Sequence, residues 1–139
     1  MIGIVIVTHS HLGDALIEAA EFILGQKPEN VVAVSIDLKI NAEILRKKIS
    51  DGIKSVNLSK KGVIIMTDMF GGTPSNLSYS FLEEGRIEVI SGVNLPILIK
   101  AANSRKKMDL IKLAECLETY GKRSISLGSA ILKGTKRSE

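Results

Sequence analysis

The chain has 139 residues, 45% of them hydrophobic and 24% charged, the size and balance of one globular domain able to bury its own core. Its formal charge of +4 rests on lysines and arginines that are scattered apart from Arg46 to Lys48, Arg105 to Lys107 and the C-terminal tail, and no aromatic or recognition motif accompanies them, which argues for solvated surface and against nucleic acid as a partner. One cysteine, Cys116, excludes an internal disulfide, and with neither a signal-peptide pattern nor an apolar run near the roughly 20 residues that span a bilayer, the sequence predicts a cytoplasmic protein.

Met1 to Thr8 reads as a strand of the buried kind, MIGIVIVT, that delivers His9 at its carboxyl end. Ser10 and His11 lie in a short turn. Leu12, Ala15, Leu16, Ala19 and Ile23 then recur at helical spacing and predict the inward stripe of a helix stopped by Gly25. Val31 to Asp37 is the second strand. Asn41 caps the next helix, whose stripe is Leu45, Ile49, Ile53 and Val56, and Glu43 sits well in its first turn. Cys116 falls in a later amphipathic helix, where a core-edge position is expected.

The third strand begins at Val63 and runs through Met66, with Asp68 closing it. Gly71 and Gly72 turn the chain, and Thr73 and Pro74 read as N-cap and first residue of a helix that ends near Gly85. A fourth strand spans Ile87 to Ser91, followed by a second strand-to-helix turn at Gly92 to Asn94 with Pro96 just beyond. Leu110, Leu113, Ala114 and Leu117 mark another helix before Gly121. Arg123 to Leu127 reads as a fifth, edge strand with alternating serines, and Lys136 to Glu139 is expected to fray. Alternating strands and helices imply right-handed crossovers and an α/β fold: an open, mainly parallel sheet with helices on both faces. An exposed edge strand invites pairing with a second chain, so a dimer is expected.

In such sheets, sites form outside the carboxyl ends of strands, where His9 and Asp68 meet if their strands are neighbours. Unperturbed imidazole titrates near pH 6.5, so its neutral form is available as a nucleophile at neutral pH. A carboxylate on one ring nitrogen fixes the tautomer and leaves the other free to attack, while stabilising the positive ring that follows. Backbone donors and a hydroxyl at a helix start hold an anion such as phosphate; the candidates are Ser10, Gly71, Gly72 and Thr73. The same residues also admit plainer roles, a hydrogen-bonding strand-end histidine and a structural glycine turn. His11, Asp14, His9 and Asp68 can be written as a metal site, but the spacing does not force convergence and no familiar ligand set is completed, so no metal or cofactor is expected. Met69 and Phe70, just ahead of the glycines, are predicted to be exposed and to touch a partner protein.

THSHLGDALIEAAEFILG at Thr8 to Gly25, TDMFGGTPSN at Thr67 to Asn76 and SGVNLPIL at Ser91 to Leu98 together resemble the IIA domain of the mannose-family sugar phosphotransferase system, over nearly the whole chain. The fold implied by that resemblance is four parallel strands plus an antiparallel fifth exchanged between the subunits of a homodimer. The implied function is a phosphocarrier: His9 accepts a phosphoryl group from the carrier protein HPr and passes it to a separate IIB protein, with membrane involvement only through the IIC and IID permease. The resemblance places the family's histidine at His9, its aspartate at Asp68 and its glycine-turn hydroxyl at Thr73, where many relatives have serine. It sets a IIA domain at residues 1–130 and a basic tail at 131–139. Three other functions fit the same residues: a regulatory phosphoprotein, the related subunit that feeds dihydroxyacetone kinase, and a passive anion-binding module.

Overall fold

The computed structural model describes residues 1–134. Four strands, β1 (Gly3–His9), β2 (Val31–Ile36), β3 (Val63–Thr67) and β4 (Ile87–Ser91), alternate with helices α1 (Leu12–Leu24), α2 (Ala42–Val56), α3 (Thr73–Tyr79), α4 (Leu95–Ser104), α5 (Leu110–Arg123) and α6 (Gly128–Leu132). The strands form one sheet in the order β2-β1-β3-β4, and every pairing is parallel. This is the α/β class expected from the alternation.

The two most apolar strands, β1 and β3, take the centre because both their faces are covered. Ile4, Ile6, Ile64 and Met66 point into a core shared with α1, α4 and α5, whereas Val5, Val7, Val63 and Ile65 point into a core shared with α2 and α3. The predicted stripe of α2 is buried in full, and Asn41 caps it by accepting from Ile44 N at 3.0 Å. Register then sets the site: Val7 lies opposite Thr67, so the chain leaves β1 and β3 side by side at Thr8, His9 and Asp68.

Four expectations change. First, α1 is rotated relative to its predicted stripe: Gly13, Ile17 and Ala20 are buried, while Leu12, Ile23 and Phe22 are 46%, 56% and 89% exposed. The helix lies so close to the sheet that a Cβ on Gly13 would stand 3.3 Å from the Ile6 carbonyl oxygen, and small residues therefore occupy the contact. Second, Gly72 and not Thr73 is the N-cap of α3; Thr73 is the first helical residue and its hydroxyl plays no capping part. Third, α3 stops at Tyr79, well short of Gly85. Ser78 Oγ donates to the Pro74 carbonyl and Ser80 Oγ to the Leu77 carbonyl, local bonds of the kind that compete with helix propagation.

Fourth, residues 125–127 join no strand within the described chain. They bridge α5 and the unforeseen α6 with Ile125 and Leu127 76% and 73% exposed. Their exchange with a second chain therefore stands as a proposal. α6 crosses the boundary drawn at 130, and residues 135–139 of the basic tail lie outside the described residues. Cys116 is half-buried on α5.

At the far end of the sheet, Arg105 is only 4% exposed although it carries a guanidinium. It donates to the carbonyls of Ile2, Asn30 and Glu29. Burial lowers its pKa, against an opposing pull from Glu29.

Candidate active site

His9 is the last residue of β1 and Asp68 the first residue after β3. The parallel ladder between those strands brings together two residues 59 apart in sequence: His9 Nδ1 lies 2.8 Å from Asp68 Oδ2, and the same oxygen accepts the His9 backbone N–H at 2.8 Å. One carboxylate oxygen thus binds both the ring and the main chain of the nucleophile candidate. The second oxygen, Oδ1, accepts the Met69 backbone N–H at 3.0 Å. Burial raises the Asp68 pKa, but these hydrogen bonds and the charge attraction of His9 outweigh it and hold the carboxyl below its ordinary value. An ionised carboxylate accepts hydrogen bonds only, so its contact assigns the proton to Nδ1 and leaves the lone pair on Nε2. The Asp68 side chain is 11% exposed and that of His9 37%, so the carboxylate is sheltered while the imidazole reaches the surface.

Around the pair, each predicted residue has a definite place. Gly71 turns the chain with φ +86, and Gly72 lies against the His9 ring, on the side of Cε1 and Nε2. Thr73 opens α3. Ser10 holds a left-handed backbone, φ 52, and its N–H donates to the Ile36 carbonyl. Met69 and Phe70 are 54% and 76% exposed, as predicted, and the Phe70 ring leans on Tyr79 with centroids 6.3 Å apart. His11 does not join His9: its Nδ1 sits 3.6 Å from Asp14 Oδ2 and 3.4 Å from Ser35 Oγ. Among the described residues no group of three or more His, Cys, Asp and Glu is placed to hold a metal ion.

Sequence reasoning missed the hydroxyls beneath the site. Thr8 and Thr67 are fully buried at the ends of the central strands. Thr8 Oγ1 accepts the Gly13 N–H at 2.9 Å and so fixes the start of α1. Thr67 Oγ1 donates to Ser91 Oγ at 2.9 Å, which lies 3.3 Å from the Tyr79 hydroxyl. Polar residues closing otherwise apolar strands were the available signal.

The structure is of the open parallel α/β class with a histidine held by a carboxylate at its central strand ends, an arrangement in which imidazole can act as a nucleophile. Comparison with known proteins narrows the class. The family model described as "PTS system fructose IIA component" matches residues 3–118, and the chain belongs to this EIIA family of the sugar phosphotransferase system, mannose type. It is 31% identical over 137 residues to the fructose-specific EIIA component of Bacillus subtilis, covering 98% of this chain and 92% of the relative. It is 35% identical over 105 residues to the mannose-specific EIIAB component of Escherichia coli K12, covering 75% of this chain and 32% of that longer protein. Among solved structures, the EIIA component of Streptococcus agalactiae superposes with a TM-score of 0.82 at 28% identity, covering 94% of this chain and 99% of that one.

Proposed function

We propose that this chain is a phosphocarrier that takes a phosphoryl group from phospho-HPr onto His9 Nε2 and gives it to a IIB protein, in a relay that ends in sugar uptake through a IIC and IID permease. The observation that carries this reading is the 2.8 Å contact between His9 Nδ1 and Asp68 Oδ2, which leaves the lone pair on Nε2 of an imidazole side chain that is 37% exposed. In the forward step the Nε2 lone pair forms a bond to phosphorus as the bond to the donor's imidazole nitrogen breaks, and the leaving electron pair returns to that donor ring. The proton stays on Nδ1, where the Asp68 carboxylate balances the positive phosphorylated ring. Transfer to the IIB protein is the same exchange with this chain as donor.

Phosphoryl transfer depends on position and charge stabilisation more than on covalent help from the protein. Ser10, Gly71, Gly72 and Thr73 are assigned to holding the phosphoryl oxygens, and exposed Met69 and Phe70 to meeting the two partners in turn. The relatives are named for fructose and mannose, which fits a domain that handles the phosphoryl group and leaves the sugar to others.

The test is intact mass after incubation with phosphoenolpyruvate, enzyme I and HPr. Wild type and His11→Ala should gain one acid-labile, alkali-stable phosphoryl group, and His9→Ala none. If wild type stays unmodified while a control IIA is phosphorylated, the carrier reading fails and a passive or regulatory binding role takes its place as the leading reading.

A further inference from the structure

Gly71 and Gly72 are adjacent, yet they are glycine for different reasons. Gly71 has φ +86, a backbone that L side chains rarely adopt, and a Cβ added there would meet nothing within 4 Å. Its lack of a side chain answers a need of the turn. Gly72 has φ −89 and ψ 173, an extended backbone open to any residue. Its lack of a side chain answers a need of a neighbour: a Cβ there would stand 2.9 Å from His9 Cε1 and 3.5 Å from Nε2. The remaining close atom is Met69 Cγ at 3.5 Å, an ordinary contact with a flexible side chain.

The imidazole has no cheap way to step aside. Its Nδ1 is bound to Asp68 Oδ2 at 2.8 Å, and that oxygen also holds the His9 main-chain N–H. Turning the ring away from position 72 therefore pulls it off the carboxylate. Moving the loop back instead displaces Thr73 and the start of α3, which Gly72 caps.

We infer that Gly72 is a positioning residue for His9: its missing Cβ is the clearance that lets the ring keep Nδ1 on Asp68 while Nε2 stays open for transfer. This deepens the phosphocarrier reading and rests on it for its kinetic consequence, though the steric coupling between residues 72 and 9 stands apart from any reaction. A methyl group at 72 either breaks the Nδ1 contact or shifts the phosphate-holding loop, and both misplace the reacting atoms; a displacement near 1 Å is enough to slow a positioned reaction by up to about a hundredfold.

Gly72→Ala, His9→Ala and the double variant test this together. Three readouts apply: thermal melting in a double-mutant cycle, the 15N spectrum of the His9 imidazole, and the single-turnover rate of phosphorylation by phospho-HPr. Gly72→Ala should lower the melting temperature by about 3 °C or more when His9 is present and by clearly less when residue 9 is alanine. It should also change the Nδ1 and Nε2 shifts and slow phosphorylation roughly ten- to a hundredfold. No coupling in melting, or wild-type ring shifts in Gly72→Ala, would overturn the inference, as would wild-type transfer rates. If wild type itself takes no phosphoryl group, the carrier reading fails, while the melting cycle and the ring spectrum still decide the role of Gly72.

Discussion

Asp68 shows how much chemistry one side chain can gather. Its depressed pKa means that the folded state binds this proton less readily than the unfolded chain. The stabilisation it contributes is therefore full above its ordinary value of 3.8 and drains away as pH falls from there through the lower folded value. In Asp68→Asn that part should be gone: the stability gap between wild type and variant, measured by denaturant titration, should be constant near neutrality and close as the pH drops below 3.8. The same variant should keep the fold and slow phosphorylation by roughly a hundredfold or more, because an amide neither fixes the tautomer nor balances the charged ring; unchanged transfer would remove Asp68 from the mechanism. Both members of the pair were legible in the sequence because each closes an apolar run. The reason for Gly72 was not, since a glycine demanded by its own backbone and one demanded by a neighbouring ring are spelled alike.

At the level of elements, periodicity located α1, α2 and α5, and turn and capping residues located α3 and α4, but periodicity did not always orient the helices it found. α2 turned its predicted stripe inward, whereas α1 turned inward the face bearing Gly13, Ile17 and Ala20. What decides is the distance of approach to the sheet, a tertiary quantity that rewards small residues and is invisible in a hydrophobic pattern. Arg105 is a similar case. Its sequence neighbours are two lysines and suggest a solvated cluster, but α4 ends where the guanidinium reaches the carbonyls of Ile2, Asn30 and Glu29. Arg105→Met keeps much of the volume but removes the donor to all three carbonyls, of which that of Asn30 retains the Ile4 N–H, so it should cost about 2–4 kcal/mol in chemical denaturation. A loss below about 0.5 kcal/mol, the scale of an ordinary surface substitution, would return Arg105 to the solvated surface.

For the molecule as a whole, the alternation of strands and helices made the mainly parallel α/β sheet readable from sequence, whereas the order β2-β1-β3-β4, which makes the strands of His9 and Asp68 neighbours, was supplied by the structure. The C-terminal segment read as a fifth strand joins no strand among the described residues. Among the described residues β4 forms a ladder with β3 alone, apart from one antiparallel bridge between Ile87 and Glu83 at its start, and Ile125 and Leu127 are left 76% and 73% exposed. We propose that the segment completes the edge of a second copy, and expect a dimer in sedimentation velocity that the double substitution Ile125→Asp, Leu127→Asp shifts to monomer. A wild-type monomer at tens of micromolar would rule out the exchange.

Heat should meet the site and the sheet as one object. His9 and Asp68 ride on neighbouring central strands, divided by nothing wider than a single row of main-chain hydrogen bonds. Loops can fray and the outer strands loosen without parting them. Warming should then leave the His9–Asp68 pair together until the central strands part, so that the pair is lost at the temperature at which the fold itself is lost.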